Sequence, residues 1–158
     1  MTFQPKPPGV HRRNSGFTLV EVMIVVTIIG LLAALSLPIW TRARQNSRCN
    51  AFINDLRTGI EAAQRCAFEE GAWPAEVAAG AQPPSMAPYW SSKYWLNPTP
   101  LGGQWDWEAG KPGVVAGLAV TNPAEVTLMQ TVDEKYDDGN LSTGKFQNLN
   151  GGYVYILE

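Results

Sequence analysis

The sequence predicts an α+β fold: a long N-terminal α-helical spine, membrane-spanning in its first half and amphipathic in its second, packed on a small antiparallel β-sheet. Three observations carry this. Residues 17–40 are apolar almost throughout, residues 41–70 place apolar side chains at three- and four-residue steps, and the C-terminal half alternates short β-type runs with Gly- and Pro-containing turns. With 158 residues, 45% hydrophobic and 16% charged, the chain can build one modest core and does not have the composition of a disordered polymer.

Residues 1–16 hold three prolines, two arginines, one lysine and no acid, which reads as a leader rather than a folded element. The run from Phe17 to Trp40 follows, with Glu21 as its one charge. Twenty-four helical residues at ~1.5 Å each reach ~36 Å, enough for a hydrocarbon core of ~30 Å. It is apolar all round, as lipid exposure requires, and a domain this small could not surround it as a core helix. A conventional secretory signal cut near Ala34-Leu-Ser36 fits poorly, because its apolar region would be too long and would contain a glutamate. Lys6, Arg12 and Arg13 before the span balance Arg42, Arg44 and Arg48 after it, so charge alone does not orient the helix. A carboxylate at the centre of a membrane helix costs about 2.5–3.5 kcal/mol, somewhat less near one end. No lysine or arginine lies in the run, so the partner of Glu21 must come from another group or another chain.

Beyond Trp40, residues Cys49, Phe52, Ile53, Leu56, Ile60, Ala63 and Ala67 form one apolar stripe, and Arg57, Glu61 and Arg65 a charged row on another face. Gly71 and Pro74 suit a helix end near Glu70, giving a helix from Phe17 to Glu70, open to kinking at Pro38 and softening at Gly59. Seventeen helical residues hold Cys49 and Cys66 about 25 Å apart, so they are expected as free packing residues.

Residues 71–103 read as a long loop that is either functional or packed on the sheet. Gln104-Trp-Asp-Trp-Glu108 alternates as a half-buried strand, Gly110–Gly113 turns, and Val114–Val120 returns antiparallel. Asn122-Pro-Ala-Glu125 has the pattern of a helix start, with a short helix over residues 123–136. Gly152–Glu158 closes a three-stranded sheet, so residues 71–158 form the headgroup.

The single histidine, His11, lies in the leader, no phosphate-cradling glycine loop is present, and two cysteines make neither a disulfide framework nor a four-cysteine zinc site. Enzyme activity is not expected. From Ala67 onward eleven acids face four lysines, a balance that disfavours nucleic acid as a partner. The tryptophans between Trp90 and Trp107 could stack on a ligand but are read as core. Asp133, Glu134, Asp137 and Asp138 cluster beside Gly139. Calcium near Asp137 and Asp138 is one reading, though Tyr136 and Lys145 fall where an EF-hand needs ligands. A solvated helix end is the preferred reading, with no cofactor expected. Asn140-Leu-Ser142 fits a glycosylation sequon.

Gly16-Phe-Thr-Leu-Val-Glu21, followed by the apolar run, resembles the N-terminal signal of type IV pilins and type II secretion pseudopilins. The resemblance implies cleavage by a prepilin peptidase between Gly16 and Phe17, and N-methylation of Phe17. It implies that Glu21 meets the terminal amine of a neighbouring subunit, and that Pro38 kinks or locally melts the helix. It further implies an inner-membrane precursor with a cytoplasmic leader and periplasmic headgroup, polymerised by an assembly platform and its ATPase into a pilus or pseudopilus of copies or related pilins. A low-copy tip adaptor that binds a surface, DNA or secreted cargo is the alternative, and a simple envelope anchor a third. Asp137 to Gly144 is similar to a headgroup motif of secretion-type pilins.

Overall fold

The computed structural model describes residues 16–149 and 151–158. The leader assigned to residues 1–16 therefore falls, apart from Gly16, outside the described residues. The chain divides into two units, residues 1–41 and 42–158. Helix α1, Leu19–Glu70, contributes to both.

In the first unit every described residue is exposed, including Leu19, Ile29, Leu37 and Trp40. The hydroxyls interrupting the apolar run bond to its own carbonyls: Thr27 to Ile24 at 2.8 Å and Ser36 to Leu32 at 2.8 Å. Side-chain donors satisfied within the helix suit a medium that offers them nothing. The helix starts at Leu19 rather than Phe17, because Thr18 caps it. The helix runs on through Pro38, which lies inside it.

In the second unit the buried positions of α1 are Cys49, Phe52, Leu56, Gly59, Ile60, Ala62, Ala63 and Cys66. Cys66, not Ala67, completes the stripe, and both cysteines are free as expected. Gly59 is a packing residue rather than a soft point. A Cβ there would lie 2.5 Å from Leu118 Cδ2 and 2.8 Å from Trp90 Cη2, so its bare backbone lets the helix approach the sheet.

The sheet has four strands, not three: β1 Gln104–Lys111, β2 Val114–Thr121, β3 Phe146–Leu149 and β4 Gly152–Ile156. Their order is β1-β2-β4-β3, with every pair antiparallel. Lys111 pairs with Val114 across Pro112-Gly113, and the positive φ of Gly113 (83°) after a proline fits a type II turn. One face of the sheet meets α1, with Trp105 stacked on Phe52 at 4.9 Å between ring centroids. Trp107, Leu118, Val120 and Tyr153 join the same core.

The expected loop 71–103 is packed on this core. It holds a 3-10 turn at Pro84–Met86 and a single-turn helix α2, Lys93–Leu96, and it buries Met86, Trp90, Trp95 and Leu101. Helix α3 runs Val126–Tyr136, three residues shorter at its start than expected. Asn122 is not its cap: Asn122 has φ 46°, and the amides of Ala124 and Glu125 donate to Leu101 O at 3.0 and 3.3 Å. Those bonds tie the segment to the preceding turn and postpone the helix.

Candidate functional site

Two groups of residues carry chemistry, and the first lies at the start of α1. Gly16 and Phe17 are exposed and precede the helix. The Thr18 amide and hydroxyl both donate to Glu21 Oε2 at 2.8 Å, and the Glu21 amide donates to Thr18 Oγ1 at 3.3 Å. This is a reciprocal capping box, in which two otherwise unsatisfied amides find side-chain acceptors. Thr18 was missed as a functional residue in the sequence, although the Thr-x-x-Glu spacing announces it. The carboxylate thus has hydrogen bonds but no cation among the described residues.

The second group follows α3. The Asp137 carboxylate accepts from the amides of Lys145 and Phe146, the latter at 2.8 Å, where β3 begins. Asp138 accepts from the Asn140 amide at 2.8 Å and the Thr143 hydroxyl at 2.7 Å. Those bonds, the Thr143 hydroxyl first, hold the Asp138 carboxyl below the usual range. Asp133 projects from α3 fully buried, and neither of its oxygens has a partner among the described residues. Burial, with Asp138, Asp137 and Glu134 nearby, pushes its pKa up. One oxygen from each of Asp133, Asp137 and Asp138 lies within 4.8 Å of the others, an arrangement suited to a hard cation. Exposed Glu134 is not part of the triad. Lys135 does not serve it either, since its ammonium reaches Asn46 and Asn50 on α1, each at 3.2 Å.

Trp90, Trp95, Trp105 and Trp107 are core residues and offer no stacking platform. Asn140 and Ser142 are exposed, with the Ser142 amide bonded to Asn140 Oδ1 at 3.2 Å.

Fold and sites together define a class: an α+β protein whose bare apolar helix continues as the spine of a sheet-bearing unit. Residues 11–37 match the family model of the prokaryotic N-terminal methylation motif. The chain is similar to fimbrial protein Q of Moraxella bovis, 41% identical over 56 residues, 35% of this chain and 36% of that protein. It is similar to the type IV major pilin protein PilA of Myxococcus xanthus, 41% identical over 58 residues, 37% of this chain and 26% of that one. With the type IV major fimbrial protein FimA of Dichelobacter nodosus the identity is 51% over 51 residues, 30% and 33% of the two chains. The likeness to type IV pilins and fimbrial proteins thus rests on the methylation motif and on stretches of 51 to 58 residues. The chain spans about a third of the length of the relatives it matches. No solved structure matches it.

Proposed function

We propose that the chain is the precursor of a filament subunit, cleaved between Gly16 and Phe17 by a prepilin peptidase and methylated on Phe17. The observation that carries the reading is the fully exposed apolar stretch of α1, which water does not tolerate and which lipid or packed copies of the same helix would cover. The cleavage point leaves a new amine beside the Thr18–Glu21 box. In a bundle of such helices the amine of one copy neutralises Glu21 of the next, which sets register and removes the cost of an unpaired charge in an apolar core. Pro38 cannot donate the amide hydrogen that Ala34 O would otherwise accept, so it is where the helix yields as subunits leave the membrane. The assembly platform and its ATPase drive that step, and either a type IV pilus or a type II secretion pseudopilus is the product. The precursor sits in the inner membrane, leader in the cytoplasm and headgroup in the periplasm.

Mass spectrometry of the mature N-terminus should find methylated Phe17. Gly16→Ala should retain the leader, and Glu21→Ala should be cleaved yet fail to assemble. Normal filaments from the Glu21 variant would refute the pairing. Abundance in sheared filaments separates a major subunit from a scarce tip adaptor for a surface, DNA or cargo.

The unpartnered, buried Asp133 supports a second reading, in which Asp133, Asp137 and Asp138 hold a divalent cation, calcium being the match for carboxylate and carbonyl oxygens. Calcium should then raise the melting temperature of the wild-type chain and leave Asp133→Asn unmoved. An equal response of both would end this reading.

A further inference from the structure

Trp105 and Trp107 point toward α1, so the residues between and after them, Asp106 and Glu108, lie on the other face of the sheet. That face carries its own small apolar cluster, Val114, Ala119 and Val154. Beside it is a cleft of about 300 Å³, with Asp106, Glu108, Thr121 and Asn122 among the residues on its walls. This is the low end of ligand-site volumes, about 300–1,000 Å³, and suits one long side chain rather than a large molecule.

Its charges do not balance. Lys111 is the one cation on its walls and is already shared by Glu108 and by Glu76, the latter at 3.1 Å. Asp106 is 4% exposed, and its Oδ1 has no hydrogen-bond partner among the described residues. A buried carboxylate oxygen left bare is costly, and a charge-assisted bond from a cation is what removes that cost. The apolar floor of Ala119 and Val154 would in turn accept the methylene stem of a lysine or arginine.

The same chain carries the complementary group. Arg48 is committed to Glu125, and Lys135 to α1. Arg42, Arg44, Arg57 and Arg65 are exposed on α1 and pair with no acid among the described residues, and of these Arg42 and Arg44 adjoin the apolar stretch that the filament reading packs against other copies. We infer that the outer cleft of the sheet receives a guanidinium from a second copy of this chain, with Asp106 as counter-ion and Arg42 or Arg44 as the donor. The inference rests on the filament reading and gives that filament a contact between headgroup and neighbouring helix, separate from Glu21.

The test is photo-cross-linking in the full-length chain assembled in a bacterial membrane, with benzoylphenylalanine replacing Thr121 at the rim. Adducts between copies should map beside Arg42 and Arg44. They should fall at least tenfold in the Arg42→Glu, Arg44→Glu double variant and in the isosteric Asp106→Asn, whose fold is checked by its melting curve. Filaments that form with no such adduct, or with an adduct indifferent to Asp106, overturn this contact and leave the filament reading standing. Absence of any polymer from the wild-type chain overturns both. An Asp106-dependent thermal shift with spermidine, without adducts between copies, would assign the cleft to a free amine and also overturn the inference.

Discussion

A single hydrogen atom at position 59 decides how closely α1 can approach β2. Gly59→Ala inserts a methyl into space already held by Leu118 and Trp90, and we expect a loss of about 1–3 kcal/mol in a denaturant melt. Asp106 makes the opposite case, that of a residue working against stability. Burial first, then the charges of Glu108 and Glu76, push its pKa from 3.8 up to about 6, while Lys111 acts the other way. The folded state therefore binds the proton more tightly than the unfolded state. Stability is lost as pH rises from about 4 through about 6 and is level above that window. Asp106→Asn should melt higher than wild type at pH 7.5 and with it at pH 4, in the chain free of partners. At this scale the sequence was legible where one residue type is out of place, as Glu21 is in an apolar run. It was silent on Asp106 and suggested only a soft point at Gly59, because the roles of both arise from neighbours supplied by distant segments.

At the scale of elements, the run from Asp137 to Gly144 is a device for starting β3. Asp137 gathers the amides of Lys145 and Phe146, and Gly144 has φ 72° with its Cβ position against the Asp137 carboxylate, so a side chain there would be strained. Hydrogen bonds to a charged group contribute about 1.5–3 kcal/mol each, so Asp137→Ala should destabilise the headgroup by roughly 2–4 kcal/mol. Exchange of the Phe146 amide hydrogen should accelerate before that of β2, and uniform exchange across the sheet would contradict this role. The strand itself escaped sequence reading because Phe146-Gln-Asn-Leu149 has no two-residue alternation. The readable signal was the Asn150-Gly151 dipeptide between β3 and β4, a strong hairpin pattern. Helix α3 was foreseen from its apolar spacing, but its start was set by the carbonyl of Leu101, which no local pattern could reveal. The spine and the first hairpin were legible because their periodicities are local and long.

For the whole molecule, the division at residue 41 separates an exposed apolar stretch from a unit with a packed interior. All the buried apolar residues of the sheet-bearing unit lie at or beyond Cys49, so it owns a complete core. A chain beginning at Arg42 should be soluble without detergent and melt cooperatively, whereas the full chain should need detergent or lipid. Ultracentrifugation of both checks this, and aggregation of the shorter chain would show that its core is incomplete. The two cysteines add a practical corollary. Cys49 is 1% and Cys66 0% exposed, and the Cys66 thiol donates to Ser85 O at 3.4 Å. Maleimide dyes will therefore ignore both sulfurs in the native protein and stain them once the spine lets go. The wild-type chain carries its own unfolding clock, and a fluorophore placed on a new surface cysteine of the purified protein can be read against two silent sulfurs.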